Sequence, residues 1–244
     1  QGPLDEVTSI SSEQELVSTF GKPNSTTFEG FFTAANFLAY SNSLRVVRVQ
    51  NSSVSNATES GSTFVIKNTT DYQNNHADGS ASVGLWAART AGAFGNNLQI
   101  SSCPSATAYE EVNKTTVNDS STAVGDTVVT VTSGTGITAG DIVNFGDQYE
   151  YRVISISTND LTIVRKEEPA YFGASDSSGL HVALNNGAQV RRRWKYYDLF
   201  NKAPGTSPYA QAKGGSNDEI HIAVIDEDGG ISGVPGTILE TFSK

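Results

Sequence analysis

The chain's 244 residues have room for one large domain or two modest ones. Only 37% are hydrophobic and 17% charged, and the large Ser, Thr, Asn and Gly share favours loops and β structure over long helices. A formal net charge of −10 argues against non-specific binding to nucleic acid or to an anionic membrane.

No apolar run approaches the ~20 residues that span a bilayer. The start, Gln1-Gly2-Pro3-Leu4-Asp5, has neither the basic region nor the apolar core of a signal peptide. Cys103 is the only cysteine, which excludes an intrachain disulfide and a thiolate metal cluster and fits a reducing compartment. The chain lacks Met, and Thr237–Lys244 reads as a helix just beginning, so a piece of a longer polypeptide is expected.

Taken in order, residues 1–11 enter a first helix with a short strand or loop. Ser12 and Glu15 make the S-x-x-E capping box of that helix, and Leu16, Val17 and Phe20 share a face. Gly21 ends it and Pro23 prevents its resumption. Thr26 and Glu29 form a second capping box. Phe28, Phe31, Phe32 and Ala35 then fall at i, i+3, i+4 and i+7, widened by Phe37, Leu38 and Tyr40, so the second helix should be largely buried on a sheet. Leu44–Val49 is a strand apolar on both faces, which suggests an inner strand flanked by helices. Thr63–Lys67 is a short strand candidate, and Asp71–Ser82 reads as a disordered or solvent-facing excursion. Trp86 precedes two glycines three apart, Gly92 and Gly95. The turn Gly95-Asn96-Asn97 then leads into a strand from Leu98 to Ser102.

From about Asn113 the texture changes. Short β runs at Thr127–Thr132, Ile142–Phe145, Tyr149–Ser155 and Leu161–Arg165 are separated by Gly, Asn and Asp turns, the spacing of a small antiparallel barrel or sandwich. Pro169–Gly179 reads as loop and His181–Trp194 as a closing strand. The α/β texture returns with Glu219–Asp226, a second buried strand expected to lie beside Leu44–Val49. The fold expected is therefore an α/β (α+β) platform with a mixed sheet flanked by helices, interrupted by a small antiparallel all-β subdomain. In residue terms, 1–112 and 191–244 form the discontinuous platform and 113–190 the outward insertion.

No catalytic set, metal site or cofactor site emerges. Asp226, Glu227 and Asp228 cluster at a strand end, but a calcium loop fails where Gly230 and Thr237 stand, and a solvated turn is the reading adopted. Gly134-x-Gly136-x-x-x-Gly140 sits between β runs rather than between strand and helix, so its glycines belong to turns. His76, His181 and His221 have no partner at i+3 or i+4, and Cys103 has no activating base nearby in sequence. Arg191–Lys195 with Trp194, Tyr196 and Tyr197 is the one basic–aromatic concentration. It could hold single-stranded nucleic acid, but the acidic balance favours pairing with carboxylates of an identical neighbour, since Arg, Trp and Tyr dominate interface anchors. Arg45, Arg48, Arg191, Arg192, Arg193 and Trp194 are accordingly the candidates for a subunit interface. For Arg45 and Arg48 an ion pair within the subunit is the alternative.

Three tracts together resemble the contractile tail sheath proteins of myovirus-type bacteriophages. The first runs from Glu13-Gln14-Glu15-Leu16-Val17-Ser18-Thr19-Phe20-Gly21-Lys22-Pro23 through Ala34–Tyr40 to Leu44–Val49. The second is Ala88–Leu98, and the third Asp218–Gly230 with Gly233–Thr237. About half the chain is covered, and residues 113–190 match nothing in the family, which accepts variable outward insertions. The resemblance implies a virion structural protein without catalysis, assembled in the host cytoplasm, with neither nucleic acid nor membrane as a partner. Hexameric rings of such subunits stack around a tail tube, between baseplate and tail terminator proteins, and contract to drive the tube through the bacterial envelope for genome ejection. It also implies that the family's N-terminal arm and C-terminal domain lie outside these residues. Other readings are the sheath of a phage-derived injection machine, a carbohydrate- or receptor-binding module built on 113–190 with Trp86, Trp194 and many Tyr, and a metal enzyme using Asp226 and Asp228.

Overall fold

The structure is a computed structural model, and it describes residues 1–79, 82–166 and 179–243. The chain divides into two compact units, residues 1–100 with 224–239 and residues 101–223 with 240–244.

In the first unit, α1 (Glu13–Phe20) begins as its sequence predicts. Ser12 Oγ accepts the Glu15 amide at 3.2 Å. The Glu15 carboxylate reaches back one residue further than a capping box requires, to the Ser11 amide and hydroxyl at 2.7 Å each. Gly21 ends the helix at φ 88°, a left-handed conformation that glycine adopts without strain. The second helix, α2 (Phe28–Leu38), starts differently from expectation. Its N-cap is Thr27, without a side-chain cap bond. The turn before it is instead built by Asn24 Oδ1, which accepts from the Thr26 and Thr27 amides.

The burial expected of α2 is overturned. It has no buried residue, and Phe28, Phe32 and Phe37 are 47–53% exposed. The reason lies in the sheet. β1 (Val7–Ile10) pairs antiparallel with β2 (Leu44–Val47), Val7 opposite Val47 and Ile10 opposite Leu44, and the two form a two-stranded sheet. Two short strands are too little surface to cover an eleven-residue helix. Nor does Glu219–Asp226 lie beside β2: β10 (His221–Asp226) sits between β3 (Leu98–Cys103) and β11 (Thr237–Ser243) in a separate three-stranded sheet. The C-terminal tract expected to open a helix is thus a strand.

Further differences concern short tracts. Thr63–Lys67 joins no ladder. It is fastened by Asn56, whose amide donates to Phe64 O and whose Oδ1 accepts the Ile66 amide, both at 2.7 Å. The excursion expected at Asp71–Ser82 begins inside α3 (Thr69–Asn75), capped by Asn68 Oδ1 on the Asp71 amide, and its Ser80 and Ala81 lie outside the described residues. The Gly-Asn turn is a 3₁₀ turn, Ala93–Asn97. Gly95 is required there, because a Cβ would stand 2.6 Å from Ala88 Cβ.

The second unit holds a six-stranded antiparallel sheet in the order β4 (Glu110–Thr116), β9 (Gln189–Arg193), β6 (Ile142–Asn144), β7 (Tyr151–Ser157), β8 (Asp160–Arg165), β5 (Val128–Thr130). Its first and last strands meet. A bridge joins Val117 to Val131, the Asn118 amide donates to Thr130 O at 2.9 Å and the Thr132 amide to Thr116 O at 2.8 Å. The sheet is therefore a closed barrel, and closure removes the exposed strand edges. Alternation fills it: Val129, Tyr151, Val153, Leu161, Ile163 and Val190 are all fully buried in one core. A register shift between Val153 and Ser155 turns Ile154 outward. The expected β runs are all present. The strand missed is β4, whose sequence EEVNKTT carries one apolar residue. The loop expected at Pro169–Gly179 falls, except for Gly179, outside the described residues.

Removing the inward methyls of Ile163, by Ile163→Ala, should cost about 2–5 kcal/mol. Equilibrium urea unfolding should show this as a lower midpoint with an unchanged slope.

Candidate functional site

The arginines of the basic–aromatic stretch, Arg191–Arg193, end β9, and Trp194, Lys195, Tyr196 and Tyr197 follow it; strand alternation sends the arginines to different partners. Arg192 lies opposite Val143 on one side and Glu111 on the other. Its guanidinium grips Asp141 with two bonds, Nε to Oδ2 at 2.9 Å and Nη2 to Oδ1 at 3.1 Å, and Nη1 donates to Ala108 O at 2.8 Å. The Asp141 side chain is 2% exposed and also accepts the amide and hydroxyl of Thr138. Every strong polar atom of this buried pair is satisfied, which is the condition for such a pair to be tolerated.

Arg193 points the other way. It donates to Glu110 at 3.0 Å and to Glu150, and its guanidinium lies 4.8 Å from the centre of the Tyr197 ring. Lys166 reaches the other Glu150 oxygen at 3.0 Å, and the Tyr197 hydroxyl donates to that same oxygen at 2.9 Å. Burial alone would raise the Glu150 pKa, but the bonds from Lys166 and Tyr197 and the charges of Lys166 and Arg193 bring it below the usual carboxylate value. Arg191 is the most exposed of the three, 3.4 Å from Glu110. Trp194 is buried, donates from Nε1 to Ser101 Oγ at 3.0 Å and stacks on Phe200.

The other candidates divide in the same way. Arg48 is half-buried and donates to the carbonyls of Gly2 at 2.9 Å and Ala91 at 2.8 Å, and burial lowers its pKa. Arg45 is exposed on β2, and its side chain has no hydrogen bond or ion pair among the described residues.

The remaining chemistry-bearing residues have structural surroundings. Cys103 is buried, which pushes its thiol pKa up, away from a reactive thiolate. His221 is buried, stacked on Phe200 at 4.3 Å, with Nε2 2.7 Å from Lys202 O. Asp226 Oδ2 accepts from the Ile231 amide, the Ser232 amide and the Ser232 hydroxyl, so this carboxylate builds the turn after β10. Burial opposes its ionisation, yet those bonds hold its pKa below the ordinary value. Among the described residues no group of three or more His, Cys, Asp or Glu could hold a metal ion. No helix among them is long and apolar enough to cross a membrane.

Two outcomes follow from the β9 contacts. Asp141→Ala strands the Arg192 guanidinium and should cost about 3–5 kcal/mol, whereas the pair Asp141→Leu with Arg192→Met should lose less than the sum of its single changes in a double-mutant cycle. Because the folded-state pKa of Glu150 is depressed, its stabilisation is complete above the unfolded value near 4.5 and is lost as pH falls through the lower folded value. The stability difference between the unaltered chain and Glu150→Gln should therefore shrink on acidification below 4.5, as read by urea midpoints across that range.

No family model matches the chain, and no solved structure matches it significantly. Curated relatives do. The tail sheath protein of Salmonella phage ViI is 33% identical over 162 residues, which are 57% of this chain and 25% of that protein. The tail sheath proteins of Vibrio phage KVP40 and Enterobacteria phage T4 are 50% identical over 48 residues and 47% over 47, in each case 7% of the relative. The chain thus spans a quarter or less of the length of these relatives. Over the tracts they share with it, these matches make the chain a relative of the bacteriophage tail sheath proteins.

Proposed function

We propose that the chain is part of a contractile tail sheath subunit, a structural component of the virion with no catalytic role. Such subunits polymerise with their own kind as stacked hexameric rings around a tail tube, between baseplate and tail terminator. They shorten to drive the tube through the bacterial envelope and eject the genome. The observation that carries this reading is the 33% identity over 162 residues to the ViI sheath protein. The work of contraction would come from a difference in subunit contacts between two packings, a rigid-body transition that needs no reaction centre.

Two features support an assembling protein. The apolar stripe of α2 lies open, with Phe28, Phe32 and Phe37 about half exposed and Tyr40 94% exposed, a patch of the kind that marks interaction surfaces. Val7 and Val47 face each other on the two-stranded sheet and are also exposed, at 59% and 50%. Among the six interface candidates, Arg45 and Arg191 offer the accessible charges for a neighbour's carboxylates. Arg48, Arg192, Arg193 and Trp194 would serve the interface by holding backbone and β9 in place. Within the subunit, residues 1–112 and 191–244 would form the platform and 113–190 the outward-facing insertion.

The test is electron microscopy of the full gene product after expression in bacteria. Long tubes of constant diameter are expected, and a monodisperse monomer at all concentrations would sink the reading. Arg45→Glu should raise the protein concentration needed for tubes about fivefold, the equivalent of ~1 kcal/mol per contact.

A further inference from the structure

The first unit carries an open aromatic face and, elsewhere, an open aromatic cavity. The face belongs to α2. Phe28 and Phe32 stand four residues apart and Phe37 and Tyr40 three apart, and all four rings are exposed. Phe31 and Leu38, on the other side of the helix, are partly buried, so α2 already packs one side within its own chain and offers the other. Glu29 is the only charge between Phe28 and Leu38, and helical periodicity places it, exposed, among those rings.

The cavity, of about 930 Å³, is lined by residues 1–94. Phe64, Ile66, Phe94 and the half-buried Trp86 give it apolar walls, and Leu85 in the same lining is 83% exposed. Four ionisable side chains also line it. Lys67 pairs with Asp5 at 3.2 Å, and His76 lies 3.7 Å from Asp71. Glu6 and Arg89 are exposed and have no ion pair among the described residues. No residue of α2 is in the lining, so the helix does not fill the cavity of its own chain.

The β1–β2 ribbon separates one such cavity from Arg45. Thr8 lines the cavity. Its neighbours Val7 and Ser9, with their register partners Val47 and Arg45, project from the opposite face, and all four are exposed. Arg45 therefore points away from the cavity of its own chain, and a second copy is needed to bring the two together.

We propose that the aromatic face of α2 on one copy docks into this cavity on the next copy, with Glu29 pairing to Arg89 and Arg45 to Glu6. The mode is that of an amphipathic helix laid in an apolar groove. Each side brings one acid and one base, so the contact is matched in charge as well as in apolar character. A small molecule in the cavity would leave the α2 rings in water, whereas a second copy covers both surfaces at once. Because face and cavity differ, the contact is head-to-tail. Every added copy leaves one of each free, which generates a ring or a helix and does not stop at a dimer. The inference rests on the sheath reading, in that it names the surfaces by which the subunits meet.

Cross-linking of the 244-residue chain tests it. The single cysteine, Cys103, is fully buried, so introduced cysteines are the reactive ones. Asn36→Cys lies on the exposed side of α2 and Ala87→Cys in the lining, and both positions are exposed. The two variants, one of them tagged, are mixed and treated with a short bis-maleimide. Mixed dimers should exceed like dimers, and one chain carrying both cysteines should give a ladder of multimers. Adding Glu29→Arg to the Asn36→Cys copy should lower the mixed yield about fivefold. Arg89→Glu on the Ala87→Cys copy should then restore it, which a folding defect would not allow. The proposal is overturned by mixed yields no higher than those with Val124→Cys, an exposed position on the second unit. It is also overturned when the doubly substituted chain links only within itself, or when Arg89→Glu gives no rescue. Tube formation by the full gene product is scored separately. Tubes without the ladder sink this contact and keep the sheath reading, and a ladder without tubes does the reverse.

Discussion

A guanidinium and a carboxylate buried against each other govern the second unit. Arg192 sits in β9, with β4 on one side and β6 on the other, and its three bonds tie that strand to the turn at Asp141 and to the carbonyl of Ala108. Loss of either partner leaves a charge largely cut off from solvent, so the pair forces the strand register as much as it stabilises the barrel. Once Arg192 is fixed, alternation places Arg191 and Arg193 on the opposite face, where Glu110 and Glu150 receive them. Val190 then falls in the core, and Trp194 closes over Phe200.

This explains why the basic run read as a surface. A sequence displays charges at neighbouring positions. It does not display that their acceptors lie 51, 83 and 43 positions away. The β runs were legible because apolar alternation and turn residues such as Gly146-Asp147 and Asn159 are local signals. Strand β4 was not, since EEVNKTT earns its place through backbone pairing and ion pairs rather than apolar pattern. The tail after Gly236 shows the same limit in reverse. Thr237 and Glu240 mimic a capping box, and a short apolar run between them does not separate helix from strand.

The stripe on α2 is a different kind of error. Its periodicity correctly identifies a helix and an apolar face. Periodicity is silent on whether anything covers that face, and β1 with β2 does not suffice.

The barrel's connectivity also has a consequence in time. Strand β4 is the first of the six to be made and pairs with β9, the last, with 83 positions between Glu110 and Arg193. At ~5–20 residues per second, about 4–17 s of synthesis separate the two. Throughout that interval β4 presents an unpaired edge, and its one apolar residue among charges and threonines is what such a waiting strand needs to avoid pairing with the wrong chain. The polarity that hid β4 from pattern reading is a safeguard during biosynthesis.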